Sequence, residues 1–521
     1  MPLFASSMSA SSVLERLTGC VALDPERLYL CCLSPTAALP DFDELASTAV
    51  CHVLDPDLVY EPFCADFGPC NLAHTWRICQ TIEALLKEGA AAGKPALLLT
   101  GTHGHRHANA AAAVGAHAVL MRGLSAEAAL RPLAPLLASL PPFRDASSGS
   151  MLYGLDVRSV VAGLARAREA GFLRWHAGER FAVEEYEHYE QVENGDLNWI
   201  VPGKLLAFSG PSATPRHPSG WRTFVPEDYL PYFRARRVTA VVRLNRRVYD
   251  AARFRDNGVR HHELYFPDGS CPTPAILASF LDLAESHPDA LAVHCKAGLG
   301  RTGVLICAYM IKHHGFSADE AMGYIRVARP GSVIGPQQLY LKTVEAELAA
   351  QGAALRALRT RRVAAAELAD ARADACKAAP GASFEVRVAA GEAACGALAR
   401  DGSSGELSRA GSASVPSTPS RSSSGAASAP PSSTKRVLAR NGQPRKIPLA
   451  MDLDKALPHD LEDLGLDEQD TWRLASLPSG GGSRPGRVSS ALSSVLVSFR
   501  SAVQRTPPGS PEAAPAAAAA N

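Results

Sequence analysis

The sequence of 521 residues is too long for one ordinary hydrophobic core, so we expect two or three domains, or two domains and a tail. The formal net charge of +1 gives no global field that would indicate nucleic acid or an acidic membrane surface as a partner. No apolar run reaches the roughly 18 residues that span a bilayer, and residues 1–12 lack the pattern of a secretory signal. The 12 cysteines show no paired C-x-x-C spacing, so we expect reduced thiols in the cytosol or nucleus, no metal site and no cofactor.

The ordered part of the sequence contains a faint repeat. An apolar strand at 96–100 (ALLLT) is followed by a polar turn and then by an apolar helical segment at 108–121. The second half has the same order, with a strand ending at His294, a glycine-rich turn and an apolar helix at 302–313. This alternation predicts α/β layers. Two copies of one fold, the first without a cysteine, would explain the repeat, but any α/β protein contains several such units and the alternative stays open.

Composition divides the rest of the chain. The acidic segment 184–196 (EEYEHYEQVENGD) is compatible with a helix as far as Gly195, and we interpret it as a linker between two domains. A solvated charged face is the alternative interpretation. From about residue 350 the sequence becomes Ala/Arg-rich and then Ser/Pro/Gly/Ala-rich, with helix propensity at 355–376. The stretch 403–433 has almost no large apolar residue, which predicts disorder.

The sequence VHCKAGLGRTG at 293–303 predicts a phosphate-binding loop at a turn from strand to helix. A phosphate dianion needs many donors at short range, and a curled loop with a following helix N-terminus supplies them. Gly298 and Gly300 permit the curl, and the guanidinium of Arg301 can bind two phosphate oxygens. The same positive field favours the thiolate of Cys295, which is the attacking species. The other predicted members of the loop are Lys296, Ala297, Gly298, Leu299, Gly300 and Thr302.

Two residues within this segment have predicted supporting roles. Thr302 can donate its hydroxyl to the sulfur of Cys295. We expect His294 to hold the loop by buried hydrogen bonds rather than to act as a base, because a thiolate stabilised in this way needs none.

The leaving oxygen needs a proton, and the upstream turn FPDGSCP offers Asp268 as the general acid. An ordinary turn aspartate is the alternative, and Asp250 and Asp256 are upstream candidates that lack this loop setting. Downstream, the segment ARPGSVIGPQQ offers Gln337 or Gln338 to position the hydrolytic water, against the alternative of a plain polar helix start.

The sequence from 187 to 338 resembles the cell-division-cycle fourteen family of dual-specificity phosphatases. The strings that carry the resemblance are YEHYEQVENGDLNWIVPGK, VTAVVRLN, HCKAGLGRTG and ARPGSVIGPQQ, joined in the first half by LVYEPFCADFGPCNLA and ANAAAAVGAHAV. It covers roughly residues 20–350 and leaves the tail out. The resemblance implies an α/β protein with two tandem dual-specificity-phosphatase-like domains joined by a linker helix, of which only the second is catalytic.

The resemblance also implies roles for individual residues. Cys295 matches the nucleophile of the family, Arg301 the phosphate-binding arginine and Asp268 the general acid. The linker helix of the family lines the substrate groove with acidic side chains, and Glu193 and Asp196 occupy matching positions. The implied activity is hydrolysis of phosphoserine and phosphothreonine, preferably phosphoserine-proline with a nearby basic residue, and also of phosphotyrosine. The implied setting is cell division, where members oppose cyclin-dependent kinases.

Two other functions compete with this interpretation. A phosphoinositide phosphatase can also carry HCKAG, but such enzymes place a second lysine where this loop has Leu299. A phosphopeptide-binding scaffold would be favoured by loss of Cys295, Arg301 or Asp268, and none is lost. We therefore expect a cysteine-dependent protein phosphatase that works through a phosphocysteine intermediate.

The expected organisation follows from these assignments. Phosphoprotein substrates, including targets of cyclin-dependent kinases, and tail-binding proteins are the expected partners, without nucleic acid or membrane. The expected location is the nucleus and cytoplasm, with spindle or centrosome-like structures as a further site. Basic clusters at 435–436 and 445–446 are candidate binding sites for a nuclear import receptor, and solvated tail charge is the alternative.

The predicted segments of the chain are an N-terminal extension at 1–20, a non-catalytic phosphatase-like domain at 21–182, an acidic linker helix at 183–202, a catalytic domain at 203–350 and a largely disordered tail at 351–521.

Overall fold

The computed structural model describes residues 14–378 apart from short gaps at 15–16, 18, 25–26, 35–41, 59, 61, 64–65, 148–149, 179–180, 219 and 221. The described residues as far as Arg356 form one compact unit, and those from Ala357 onward belong to a second. The predictions for the tail beyond residue 378, with its disordered stretch and basic clusters, lie outside the described residues, as does most of the N-terminal extension. Among the described residues, no helix combines the length and apolar character that crossing a membrane requires.

The first domain is built on a four-stranded sheet with strand order β1-β2-β4-β3. Strand β1 (Cys20–Asp24) pairs antiparallel with β2 (Leu28–Cys32), while β4 (Ala96–Thr100) lies parallel to both β2 and β3 (Val50–Val53). All five residues of β4 are buried. A central parallel strand that is covered on both faces is expected to be a continuous apolar run, as ALLLT is.

Side-chain caps define where the longer helices of the first domain begin. Asn71 accepts a hydrogen bond from the backbone N–H of His74 at 2.9 Å, and Asp156 accepts one from Ser159 at 2.8 Å. The apolar helix predicted at 108–121 is present and begins four residues earlier, at Gly104. The helices of this domain are α1 (Phe42–Thr48), α2 (Leu72–Ala92), α3 (Gly104–Leu120), α4 (Ala126–Leu130), α5 (Ala134–Leu137) and α6 (Val157–Glu169).

The second domain carries a five-stranded sheet with strand order β5-β6-β9-β7-β8. The first pair is antiparallel and the remaining pairs are parallel. Its strands are β5 (Leu197–Val201), β6 (Leu205–Phe208), β7 (Val238–Arg243), β8 (Arg260–Glu263) and β9 (Ala290–His294). Its helices, with the linker helix α7 before them, are α7 (Val183–Tyr189), α8 (Pro226–Ala235), α9 (Ala252–Arg255), α10 (Pro274–Ser286), α11 (Gly300–His314), α12 (Ala318–Ala328) and α13 (Pro336–Ala378).

The two sheets share one arrangement, which confirms the predicted pair of α/β domains. The order β1-β2-β4-β3 matches β5-β6-β9-β7, with the same antiparallel first pair. Central strand β4 leads into α3, and central strand β9 leads into α11. Thr100 and His294 therefore occupy equivalent positions at the ends of the two central strands, and the next residue is glycine in one domain and cysteine in the other.

The acidic linker differs from its prediction. The helix expected over 183–202 ends at Tyr189, and a single 3₁₀ turn follows at Val192–Asn194. Gly195 has φ of 112° and Asp196 has φ of 53°, and this left-handed backbone ends the helical path before β5 begins. The helix prediction was wrong for the second half of the segment, because the β-favouring residues of LNWIV pair in the sheet. The helix propensity at 355–376 is confirmed, since α13 includes these residues.

The two domains meet through closely packed helices. Helix α12 of the second domain crosses α6 of the first. A Cβ atom on Gly163 would lie 2.3 Å from the carbonyl oxygen of Glu320, and one on Gly323 would lie 2.3 Å from that of Ser159. Any larger residue at either glycine would therefore push the helices apart.

Candidate active site

The phosphate loop follows the central strand of the second sheet. Cys295 comes directly after β9 and is only 3 % exposed, and helix α11 begins at Gly300. Gly298 has φ of 69°, and a Cβ atom there would lie 2.1 Å from the carbonyl oxygen of Phe208. Only glycine fits at this point, as the predicted curl of the loop requires. Lys296 and Ala297 are half-buried, whereas the remaining residues of the loop are buried.

His294 holds the loop through a buried chain of hydrogen bonds. Its Nδ1 lies 2.9 Å from the carbonyl oxygen of Cys295, which can only accept, so Nδ1 carries the proton. Its Nε2 then accepts from the hydroxyl of Tyr249 at 2.7 Å, and that hydroxyl oxygen lies 2.9 Å from Nε2 of His261. Burial lowers the pKa of His294 to about 3. The neutral, fully bonded ring supports the loop, as expected, and is not placed as a base.

The buried histidines predict a particular dependence of stability on pH. Burial lowers the pKa of His261 to about 4 and that of His294 to about 3, from an ordinary value of 6.5. The unfolded chain binds these protons below about pH 6.5 and the folded state does not. The free energy of unfolding should therefore fall as the pH is lowered from about 6.5 to 4, by up to about 1.4 kcal/mol per pH unit for each histidine. Urea unfolding at several pH values measures this slope.

A His294→Asn variant is the control for that slope. Asparagine can still donate to the carbonyl of Cys295 but does not titrate, so the slope should become shallower. An unchanged slope would mean that other groups govern the acid response.

Arg301 brings the predicted general acid to the loop. Its side chain is buried, and it donates to the carbonyl oxygen of Phe266 at 3.1 Å. A second terminal nitrogen of the guanidinium lies 3.0 Å from the carboxylate of Asp268. The aspartate side chain is 40 % exposed, in a turn where Gly269 has φ of 67°. The structure thus places an accessible carboxylate beside the arginine that follows Cys295 by six positions.

Gln337, rather than Gln338, reaches the phosphate loop. Its Nε2 donates to the carbonyl oxygen of Ser270 at 3.1 Å, two positions after Asp268. A Cβ atom on Gly300 would lie 3.0 Å from its Oε1, so the amide lies against the loop itself. Gln338 is buried elsewhere and accepts a hydrogen bond from Arg326 at 2.6 Å. Thr302 Oγ1 is buried without a hydrogen-bond partner among the described residues, which leaves it free to donate to an anion at the loop.

Sequence reasoning missed Arg329, a fully buried charge that clamps the loop. Its guanidinium donates to the carbonyl oxygen of Gly298 at 2.8 Å and to that of Ala297 at 3.0 Å. Asp196 neutralises it with two contacts of 2.9 Å. A buried charge requires such a partner, because an unpaired one carries a large desolvation cost. The segment ARPGSVIGPQQ contains this arginine, but the sequence analysis drew only Gln337 and Gln338 from it.

This pairing changes the interpretation of the two predicted substrate-binding acids. Glu193 is exposed in the 3₁₀ turn, where it is accessible to a substrate. Asp196 is only 3 % exposed, and both of its carboxylate oxygens contact Arg329. The resemblance implied that both lie on the linker helix, but that helix ends at Tyr189, before either residue. Asp196 supports the phosphate loop in this structure, and Glu193 is the exposed acid of the two.

The equivalent loop of the first domain is filled by a carboxylate from its own chain. Asp55 accepts from the backbone N–H of Gly101 at 3.0 Å and from the hydroxyl of Thr100 at 2.8 Å. The same carboxylate pairs with Arg106 at 2.9 Å. Gly101 stands where the second domain has Cys295. The first domain therefore lacks both a thiol and a free anion site at this position.

Four features define the class of cysteine-dependent phosphatases. They are a buried cysteine after a central strand, a loop curled at glycine, an arginine at the start of the following helix, and a nearby carboxylate. Comparisons with known proteins agree with this class. The family described as dual specificity protein phosphatase, N-terminal half, matches residues 23–167, and the dual specificity phosphatase catalytic domain matches residues 268–346. The chain therefore carries, in tandem, the two domains of a dual-specificity phosphatase.

Several similar proteins are phosphatases named CDC14. The dual specificity protein phosphatase CDC14AB of Danio rerio is 49 % identical over 313 residues, which are 60 % of this chain and 51 % of that protein. CDC14A of Mus musculus is 47 % identical over 302 residues, covering 57 % of this chain and 49 % of that protein. The tyrosine-protein phosphatase CDC14 homolog of Schizosaccharomyces pombe is 39 % identical over 324 residues, which are 61 % of this chain and 59 % of that protein. The resemblance to the cell-division-cycle fourteen phosphatases is confirmed, and the match spans about half the length of the first two relatives.

Proposed function

We propose that this protein is a cysteine-dependent phosphatase that removes phosphate from phosphoserine and phosphothreonine in proteins, and also from phosphotyrosine. The observation that carries the proposal is the meeting of Cys295, Arg301 and Asp268 around one glycine-curled loop at a helix N-terminus. Each has a distinct task in phosphoryl transfer, and the similarity to dual-specificity phosphatases supports all three.

In the first step, the thiolate of Cys295 attacks phosphorus, and an S–P bond forms while the P–O bond to the substrate breaks. Asp268 gives its proton to the departing oxygen. Arg301 and the backbone N–H groups of the loop bind the non-bridging oxygens and stabilise the charge of the transition state. The Nε of Arg301 has no hydrogen-bond partner among the described residues, so a donor remains for the phosphate.

In the second step, water hydrolyses the phosphocysteine. The water oxygen attacks phosphorus, the S–P bond breaks, and Asp268 takes up the proton that the water loses. Inorganic phosphate and the thiolate of Cys295 are the products. Gln337 is the amide best placed to orient that water, because it contacts both the phosphate loop and the general-acid turn.

The preferred substrate in this proposal is phosphoserine followed by proline, with a basic residue close behind. The exposed carboxylate of Glu193 supports a preference for a basic residue in the substrate, since opposite charges attract. Such sites are those that cyclin-dependent kinases phosphorylate, so the protein would reverse their action in the cell cycle. We propose a location in the nucleus and cytoplasm, with spindle or centrosome-like structures as a further site.

The reaction and the substrate class are tested by measuring the rate at which the protein hydrolyses a phosphoserine-proline peptide and comparing it with the rate for a phosphoinositide. The peptide should be hydrolysed and the lipid headgroup should not, because Leu299 offers no second cation. Faster hydrolysis of the phosphoinositide would contradict the proposal, and tight peptide binding without turnover would instead indicate a scaffold.

Replacing Glu193 by glutamine should lower kcat/KM for a peptide with a basic residue after the serine-proline step. A peptide without that residue should be unaffected, since only the Coulombic attraction is lost. An exposed pair contributes under about 1 kcal/mol, so the expected loss is about fivefold or less, and it should fade as salt rises. The measurement is the ratio of kcat/KM for the two peptides.

A Glu127→Gln variant is the matched control, because Glu127 lies exposed on α4 of the first domain. Asp196 is unsuitable for this test, since its replacement would leave Arg329 without its counter-charge. The same peptide ratio in wild type and Glu193→Gln would show that Glu193 only contributes a solvated charge.

A further inference from the structure

The segment that follows α12, residues 329–335, forms a loop against the phosphate loop, and we call it the support loop. The backbone N–H of Val333 donates to the carbonyl oxygen of Leu299 at 3.3 Å. A Cβ atom on Gly303 would lie 3.1 Å from the Val333 side chain. Gln337 stands directly after the support loop, in the first turn of α13. The position of the support loop therefore sets where the Gln337 amide lies.

The support loop is held in an unfavourable backbone conformation. Val333 has φ of 63°, in the left-handed region that β-branched residues rarely adopt. Such a conformation persists only where the surroundings fix it. Arg326 supplies part of that restraint, because it donates to the carbonyl oxygens of Ser332 and Val333 at 3.1 Å each.

The first domain supplies the rest of the restraint. The carboxylate Oδ2 of Asp145 accepts a hydrogen bond from the backbone N–H of Gly335 at 2.7 Å, at the end of the support loop. Asp145 is 1 % exposed, and its Oδ1 has no hydrogen-bond partner among the described residues. Its charge also acts on Arg326: burial lowers the pKa of that guanidinium, and Asp145 is the foremost group opposing the shift. The buried carboxylate of Asp145, in the first domain, thus contacts the support loop directly and also stabilises the charge of Arg326, which restrains that loop.

We propose that Asp145 is a positioning residue for hydrolysis of the phosphocysteine, acting from the first domain through Gly335 on Gln337. This inference rests on the proposed function and adds a task for the domain that lacks the nucleophile. Arg301 and Asp268, which serve the first chemical step, contact each other, and Arg301 also donates to the carbonyl oxygen of Phe266. The support loop contacts the phosphate loop at Val333, whereas Asp145 binds two residues further on, at Gly335 and next to the helix turn that carries Gln337. Loss of the Asp145 contact should therefore slow the second step selectively.

The test is pre-steady-state kinetics of an Asp145→Ala variant with p-nitrophenyl phosphate. A misplaced water-orienting group should slow hydrolysis about 10- to 100-fold. The variant should release a burst of about one nitrophenolate per enzyme, followed by slow turnover. Its kcat should fall while kcat/KM, which reports steps up to phosphoenzyme formation, stays within about twofold. An Asp145→Asn variant keeps an acceptor for Gly335 and should recover much of the hydrolysis rate.

A matched control separates this role from general contact between the domains. Tyr153 of the first domain hydrogen-bonds Asp319 at the start of α12, a contact between the domains that involves no residue of the support loop. A Tyr153→Phe variant should keep wild-type kcat and kcat/KM. An equal loss of kcat and kcat/KM in Asp145→Ala, or a burst in Tyr153→Phe, would overturn the inference.

Combination with Gln337→Ala tests whether the effect passes through that glutamine. In the Gln337→Ala background, an Asp145 substitution should cause no further loss of hydrolysis, because the positioned group is already absent. Additive losses would overturn the inference. If Asp145→Ala does not fold, Asp145→Leu, which has a similar volume and no acceptor for Gly335, carries the same test in both backgrounds. If the wild type forms no phosphocysteine at all, the proposed function fails; if it does and the Asp145 variants hydrolyse it at the wild-type rate, only this inference fails.

Discussion

Replacing Cys295 by serine should lower turnover of a phosphoserine-proline peptide by on the order of 10⁵-fold or more, while binding of that peptide changes little. A serine hydroxyl stays protonated at neutral pH and needs a base to become a nucleophile. His294 cannot serve, because its two nitrogens are engaged with the Cys295 carbonyl and with Tyr249. The loop N–H groups and Arg301 are untouched by the substitution, so the phosphate should still bind.

Turnover of the peptide and its dissociation constant, measured on the same preparation, decide this prediction. A Cys51→Ser variant is the control, since that cysteine is half-buried in the first domain and should be replaceable without kinetic effect. More than about 1 % residual activity in the Cys295 variant would remove it as the nucleophile. A loss of binding that matches the loss of turnover would mean that the loop itself had collapsed.

The phosphate loop could be predicted because its parts are contiguous in the sequence. The strand, the cysteine, the glycines and the arginine fall within one short segment, and local sterics decide the curl at Gly298. The hydrophobic pattern of each strand–loop–helix unit predicted α/β layers, and the tandem arrangement of two such domains was implied by the family resemblance. Asp268 could be selected as a candidate because the composition of its segment, FPDGSCP, is typical of a turn.

The clamps around the loop could not be predicted in this way. Arg329 meets an aspartate 133 positions away, and the bond from Gly335 to Asp145 spans 190 positions. Such contacts depend on how distant parts of the chain pack together, and no local sequence pattern identifies the partner of either residue. Tyr249 was missed for the same reason, although it lies closer to His294 in sequence.

The linker shows how a local preference is overridden. Its glutamates favour a helix, and the sequence is compatible with one as far as Gly195. The left-handed backbone at Gly195 and Asp196 instead turns the chain into β5, whose pairing with β6 buries Leu197, Ile200 and Val201. Tertiary burial of the strand outweighs the propensity of the preceding acidic residues.

Asp268 separates two classes of leaving group, and its replacement by alanine should show this directly. The alkoxide of serine is a poor leaving group and depends on a proton, so turnover of phosphoserine peptide should fall about 10²–10⁴-fold. A nitrophenolate leaves without a proton, so p-nitrophenyl phosphate should be affected far less. Asp268 also pairs with Arg301, and part of any loss can come from that contact.

Comparing the two substrates removes this ambiguity, because loss of the ion pair would disturb phosphate binding for both alike. The ratio of kcat/KM for peptide and aryl phosphate is therefore the quantity to measure, in wild type, Asp268→Ala and Asp268→Asn. Asparagine keeps the shape but has no proton to transfer, so it should resemble alanine. Asp256→Ala is the control, an exposed upstream aspartate without the loop setting, and should leave the ratio unchanged. Equal losses on both substrates would assign Asp268 to holding Arg301 and leave the proton donor to another group.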